Sequence, residues 1–359
     1  MRVAYYAPVD VSIESGVCKK IIGQVTAWLN AGVEAKIFAY STSTRVWSGF
    51  PAQLIEVVDR GGAAVRLQRV NQLVQTILNW KPDIVYMRLG FYYPPLEYLM
   101  RLIPTILEIN TNDVAEARLY LNPVKYLYYI ATRKRLFNNA VGLVCVTEEL
   151  ARLFAPLGLP TAVVPNGIRL EDYPQLLPPR NSSPTLLFIG HAWERIKSPL
   201  KGASFKYFGI EKILKIAENF PEWSFNIVGF NIKSPLPNVH FYGHLGRSDY
   251  ETLVRSTDVA IGPLGLYAKF MEEACPLKVR EYLAYGLPVI IGYQDTDFPG
   301  GAPFLLQLPN TPDNVENSLD LIKRFVYEWK GRRVPRSEVA HLDLVYKETK
   351  RLEFMRSLL

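Results

Sequence analysis

Glu273 and Glu281, in the stretch EEACPLKVREYLAYGLPVI, have seven residues between them, a proline and a lysine among these. Pro276 suits the first turn of a helix and Gly286 suits its end, so residues 276–285 are predicted as a short helix followed by the buried strand LPVII. No Ser, Thr, Asp or Asn stands at 274 or 275 to cap that helix, which leaves its first N–H groups and positive dipole end for an anionic ligand such as a phosphate. Glu281, one turn in, does not suit a phosphate, but it suits neutral hydroxyls of a ribose or a hexose. A nucleotide sugar carries both kinds of group. Standing alone, the stretch would read as solvated acids on an ordinary packed helix, so the rest of the chain has to decide.

The elements around it are those of parallel α/β layers. Strand-like runs (RVAYYAPV, VEAKIFAY, DIVYMR, TILEIN, GLVCVT, TAVVPN) alternate with helical ones, beginning with VCKKIIGQVTAWLNAG. In that helix Val17, Ile21, Val25, Trp28 and Leu29 make an apolar stripe, and Gly32 ends it. The linker LLPPRNSSP, rich in proline and serine, is followed by a restart of the pattern with TLLFIG, EKILKIAENF, FNIVGF, VHFYG and DVAIGP. The expectation is two doubly wound, Rossmann-like domains, 1–172 and 173–336, facing across a cleft at the carboxyl ends of their strands, with a basic C-terminal helix over 337–359 that packs back on the first domain or lies on a membrane.

Bulk properties bound the partners. A chain of 359 residues, 49% apolar, has ample material for two cores. There is no signal-like start and no run of the roughly 18 apolar residues that a membrane span needs, so a cytosolic protein is expected. Cys18, Cys145 and Cys275 are scattered and odd in number, which fits neither a disulfide framework nor a zinc site. A net charge of +7 and a pI near 9.1 favour anionic partners, a nucleotide diphosphate or an anionic membrane. Without zinc-finger spacing, arginine-rich tracts or an RNP-like pattern, nucleic acid is not expected.

The order of signals resembles the GT-B glycosyltransferases, specifically family 4, which are retaining and use nucleotide sugars. The resemblance covers nearly the whole chain: SGVCKK before the first helix, VTEEL ahead of VVPNG, LLFIG with Lys201-Gly202 beyond it, NIVGF, VHFYGHL, and the specific element EEACPLKVREYLAYGLPVI. It implies that Glu273 lies near the transferred sugar and Glu281 near the ribose, and that Lys201 neutralises the diphosphate. The family usually has a basic residue after the glycine of the LLFIG-like strand. Here His191 follows Gly190, and either Arg195 or Lys197 takes over that charge. Gly16 falls where the chain of such enzymes passes close to the donor phosphates, although the family often has two glycines there; a plain turn before a helix is the other reading. No metal or cofactor is implied.

The chemistry itself supports this arrangement. Glycosyl transfer passes through an oxocarbenium-like state as the diphosphate departs, so it calls for cations and N–H donors placed around growing negative charge. Lys201, Arg195 and the helix start at Leu277 and Lys278 are the candidates. Asp295-Thr296-Asp297 is spelled like a metal-binding DXD pair, but it follows a strand near PGG and reads as a turn.

On the acceptor side the first 190 residues contain no histidine; all four, His191, His240, His244 and His341, lie beyond. An inverting enzyme needs a base there, so retention is favoured. Asn110 stands where many family 4 members have a histidine, and it can orient a hydroxyl without taking its proton. Asp113 is either a base or a helix-capping aspartate. Arg88 ends a strand and is expected to face the acceptor. The segment VKYLYYIATRKRLFNNA, with Lys125, Arg133, Lys134 and Arg135, reads either as a helix with one wet basic face or as a contact with an anionic membrane where lipid-linked acceptors are found. The resulting expectation is a metal-independent transferase acting on a glycan or lipid-linked acceptor in polysaccharide or glycoconjugate synthesis. The alternatives are a catalytically silent GT-B scaffold and a sugar-nucleotide epimerase.

Overall fold

The computed structural model describes residues 1–12, 14–41, 46–59, 61–190 and 203–359. The chain divides into two units, Met1–Gly167 with Leu344–Leu359, and Ile168–Asp343. The sequence placed the breaks at 172/173 and 336/337. They fall at 167/168 and 343/344 because the two crossing segments hold each other: Ile168 bridges to Asp343, Leu170 N–H donates to the Asp343 carboxylate at 3.1 Å, and Arg336 donates to the carbonyls of Leu170 and Tyr173 at 3.1 and 2.6 Å.

The first unit is a seven-stranded sheet in the order β3-β2-β1-β4-β5-β6-β7, with every pair parallel. The strands are β1 (Arg2–Asp10), β2 (Glu34–Ser41), β3 (Ile55–Asp59), β4 (Ile84–Arg88), β5 (Thr105–Ile109), β6 (Gly142–Cys145) and β7 (Thr161–Val163). Its helices are α1 (Gly16–Asn30), α2 (Arg66–Trp80), α3 (Pro94–Leu102), α4 (Asp113–Tyr120), α5 (Pro123–Phe137) and α6 (Glu148–Phe154). Strands such as β1 and β5 read as near-continuous apolar runs because helices cover both faces of a parallel sheet. The stripe predicted on α1 is the face that packs, with Ile21, Val25 and Trp28 fully buried, and Gly32 turns the chain out at φ +75°. The sheet order reverses between β1 and β4, which brings the start of α1 and the ends of β4 and β5 to one carboxyl edge.

The second unit repeats the plan with six parallel strands, in the order β10-β9-β8-β11-β13-β15. They are β8 (Thr185–Ile189), β9 (Ser224–Val228), β10 (Val239–Tyr242), β11 (Val259–Ile261), β13 (Val289–Ile291) and β15 (Leu305–Gln307); a separate parallel pair is β12 (Glu273–Ala274) with β14 (Gln294–Asp295). The helices are α7 (Ala203–Phe208), α8 (Ile210–Asn219), α9 (Arg247–Arg255), α10 (Leu277–Ala284) and α11 (Leu319–Trp329). A core of Phe188, Phe225, Ile227, Ile213, Ile216 and Trp223 lies between sheet and helices. The last helix, α12 (Leu344–Ser357), belongs to the first unit, where the Trp28 indole N–H donates to Glu348 at 2.8 Å. The three cysteines are free and buried.

Candidate functional site

The second unit builds its site around α10. The helix starts at Leu277 after Pro276, whose ring makes no capping hydrogen bond. Val279 and Arg280 are the first amides to return to the Pro276 carbonyl, at 3.1 and 3.2 Å, so those of Leu277 and Lys278 come before the intrahelical ladder. The other end is closed. Gly286, at φ +80°, donates to Leu283 O, and Leu287 donates to Tyr282 O, the two bonds of a Schellman turn. The helix is held by its inner face, where the Tyr282 hydroxyl accepts from Ile189 N–H at 2.7 Å, one residue before Gly190.

Glu273 and Glu281 are both half-buried, and separate devices hold them. Glu281 accepts from the Tyr250 hydroxyl at 2.5 Å. Around it lies a compact set from α9, α10 and the crossing segment: Tyr285 and Arg247 both donate to Glu251, at 2.5 and 2.9 Å, and Arg247 stacks on Tyr173 at 4.4 Å. Burial, then the Glu281 charge, raises the Tyr250 phenol far above its usual range, so it stays a donor to that carboxylate. Glu273 is placed through the backbone. It lies on β12 opposite Gln294 of β14, and the next residue pair is Ala274 with Asp295.

Asp295 and Asp297 face a cation of the chain itself. Both carboxylates take the guanidinium of Arg280, which is fully buried: Asp295 at 2.7 and 2.8 Å and Asp297 at 2.8 Å. The Asp297 N–H closes on Asp295 at 3.0 Å, the turn expected from the sequence. Arg280 precedes Glu281 on α10, and Asp295 sits beside the strand of Glu273, so one buried cation ties the mounts of both glutamates.

A second clamp holds the segment that leads into β12. Lys212 is buried on α8 and donates to Leu264 O, Thr311 O and Asn314 Oδ1 at 3.0, 2.8 and 2.7 Å. Burial lowers its ammonium to about 8. Asn310 accepts from Tyr267 N–H at 2.8 Å and donates to Met271 O at 2.8 Å and to the Glu272 carboxylate at 3.0 Å. At the end of β8, Gly190 is required by space: a Cβ there would lie 2.5 Å from the Phe188 ring and 2.6 Å from Phe230. Lys201, Arg195, Lys197 and His191 lie outside the described residues.

In the first unit the acceptor-side candidates Arg88 and Asn110 come together on a residue the sequence reading passed over. Glu108, fully buried on β5, receives Lys20 at 2.8 Å, Tyr86 at 3.1 Å, Asn110 at 3.1 Å, Tyr5 at 3.2 Å and Arg88 at 3.5 Å. Lys20 also donates to Asn110 Oδ1 at 2.9 Å. From α12, Arg351 donates to the Tyr86 hydroxyl at 2.9 Å and pairs with Glu348. Burial alone would raise the Glu108 carboxyl, but Lys20, Arg88 and Arg351 outweigh it and hold it well below the usual carboxylate range. Burial, partly offset by Glu108, brings the Lys20 ammonium down to about 8. This network fixes Asn110 and Arg88 at the carboxyl edge of the sheet.

Asp113 is placed differently. Asn112 is the helix cap, accepting from Ala115 N–H, while buried Asp113 accepts from Tyr129 at 2.7 Å and from Arg133 at 2.5 and 2.8 Å. Its carboxylate is taken up in joining α4 to α5. Gly16 opens α1, exposed, directly after Ser15, whose hydroxyl caps the helix through Cys18 N–H at 3.1 Å.

Fold and family now meet. Residues 17–167 match the family model described as the glycosyl transferase 4-like domain. The two parallel sheets are those of the GT-B fold, and the match to the 4-like domain falls within the first unit. Among solved structures it is similar to sucrose-phosphate synthase (tll1590) from Thermosynechococcus elongatus, with a TM-score of 0.69 at 14% identity over 99% of this chain and 98% of that one. It is similar to the lipopolysaccharide outer core galactosyltransferase WaaB in its apo form, at 0.66 and 11% over the whole of both chains. It is also similar to Anabaena HepE in complex with UDP and glucose, at 0.63 and 12% over 99% of both. No curated protein matches the sequence.

Proposed function

We propose that the chain is a retaining, metal-independent glycosyltransferase. It moves a sugar from a nucleotide-diphosphate donor to a hydroxyl of a glycan or lipid-linked acceptor, in the cytoplasm, in polysaccharide or glycoconjugate synthesis. The observation that carries the reading is the arrangement around α10, which starts at Leu277 after Pro276, has Glu281 braced one turn in by Tyr250, and follows β12, where Glu273 is mounted. The diphosphate meets the amides at Leu277 and Lys278, Glu281 accepts from the ribose hydroxyls, and Glu273 addresses the transferred sugar. Lys201, with Arg195 or Lys197, supplies the charge that grows in value as the leaving group departs.

In the reaction the bond between the anomeric carbon and the phosphate oxygen breaks, and the acceptor oxygen bonds to that carbon on the same face. The acceptor proton passes to the departing phosphate oxygen, so no side-chain base is needed. The engagement of Asp113 with Arg133 and Tyr129 supports this scheme, as does a first unit without histidine. Arg88 and Asn110, on the Glu108 network, orient the acceptor. The test is incubation with nucleotide sugars in the absence of acceptor, followed by NMR. Slow release of free sugar with the donor's anomeric configuration supports the reading, whereas release of the opposite anomer or an epimerised donor overturns it.

A further inference from the structure

Among the described residues, α5 exposes more large apolar side chains than any other helix of the first unit. On α5, Val124 is 78% and Leu127 67% exposed, and Tyr128 is exposed beside them. With Ala131 they occupy positions i, i+3, i+4 and i+7, a single stripe along the helix, while Tyr129, Leu136 and Phe137 point the other way into the core. Tyr98 and Leu102, one turn apart on α3, are also exposed. The two helices adjoin, since the Tyr128 hydroxyl donates to Tyr92 O at 2.8 Å and Arg135 stacks over the Tyr92 ring. Such a stripe costs solubility unless something covers it.

Charge indicates what does. Helix α5 carries four basic residues, Lys125, Arg133, Lys134 and Arg135, and no acidic one. On a helical wheel Lys125 and Lys134 flank the stripe on opposite sides, and both are exposed. The neighbouring acids are already neutralised: Glu97 by Arg101 and Arg135, and Asp113 by Arg133. An apolar stripe with an exposed lysine on either side matches an anionic lipid surface, where the apolar side chains enter the headgroup boundary and the lysines meet phosphates. No helix among the described residues is long and apolar enough to cross a membrane, so the contact would be lateral.

We propose that α5, with the adjoining end of α3, docks the protein on an anionic bilayer. The proposal deepens the lipid-linked branch of the functional reading, which it takes as its setting, and its test needs no catalysis. The full chain is floated with vesicles of phosphatidylcholine alone, or of equal parts phosphatidylcholine and phosphatidylglycerol, at rising salt. Two double variants accompany it, V124D/L127D and K125E/K134E, at exposed positions where the melting temperature should stay unchanged. The expected result is binding to the anionic vesicles only, weakened by salt, and reduced about 25-fold or more in K125E/K134E, at about five-fold for each lysine lost. V124D/L127D should bind no better than that.

Equal binding to both vesicle types, no binding to either, or variants that bind like the wild type would overturn it. So would a dimer in light scattering that Leu127→Asp dissolves, since the face would then belong to a second copy. Donor hydrolysis in the same variants separates the two readings: hydrolysis with no lipid binding rejects the docking alone, and lipid binding with no hydrolysis rejects the transferase alone.

Discussion

Arg280 and Asp295 form a fully buried two-pronged ion pair, at 2.7 and 2.8 Å, between the helix that carries Glu281 and the strand that supports Glu273. Breaking such a pair leaves an uncompensated charge in the interior, at a cost of about 3–5 kcal/mol. Arg280→Met is therefore expected to lower the free energy of unfolding, measured in urea, by that amount. Arg280→Lys keeps the charge but loses the fork, and should lose less stability while weakening nucleotide binding. Equal nucleotide affinity in Arg280→Lys and wild type would show that the clamp does not govern the site.

Tyr250→Phe removes one hydroxyl and its 2.5 Å bond to Glu281 while retaining the ring. A hydrogen bond to a charged group contributes about 1.5 kcal/mol, or about ten-fold in affinity. The expected outcome is a donor KM raised by about that factor at nearly constant kcat, because the role proposed for Glu281 is to hold the ribose equally in ground and transition states. Steady-state kinetics on the variant check this, and a fall in kcat alone would contradict it.

Much of the architecture was legible. Period and punctuation located both sheets, the first helix and α10, read as 276–285 and found at Leu277–Ala284 with Gly286 after its end, because those features are local. The partners of the site residues were not legible, since they come from elements far apart in sequence. Glu108 is 88 positions from Lys20 and 243 from Arg351 by difference of their numbers. One signal was available: a glutamate within the apolar strand TILEI must find cations, and Lys20 is among the buried residues of α1. The turn at Asp295 and Asp297 was legible, but their partner Arg280, in the middle of the motif, went unseen. Arg195, Lys197 and Lys201 remain assignments from resemblance.

Acid sensitivity should trace to Glu108. Its carboxyl is held below the usual value of 4.5, so the folded state binds fewer protons than the unfolded state as pH drops below about 5. The stability it contributes is present above that range and is lost as pH falls through it. Glu108→Gln should be less stable than wild type at pH 7 by about 3–5 kcal/mol, since Lys20 and Arg88 lose their partner. The gap should narrow at pH 4. Urea unfolding at both values measures it, and a gap that stays constant would contradict the pairing.

Lys212→Met leaves three oxygens, of Leu264, Thr311 and Asn314, without their donor. Each unpaired buried acceptor costs about 1–3 kcal/mol. The segment that delivers Glu273 should loosen, giving a lower melting temperature and a raised donor KM. A normal KM with the lower melting temperature would confine Lys212 to packing.

Calorimetric titration of the full chain with UDP, GDP, ADP and TDP, in wild type and Glu281→Ala, tests the donor site most directly. The account predicts that one diphosphate binds in preference to the others, and that Glu281→Ala weakens it at least about ten-fold, the size of losing a hydrogen bond to a charged group, at an unchanged melting temperature. Equal affinity in the variant, or no binding of any diphosphate to wild type, would contradict it.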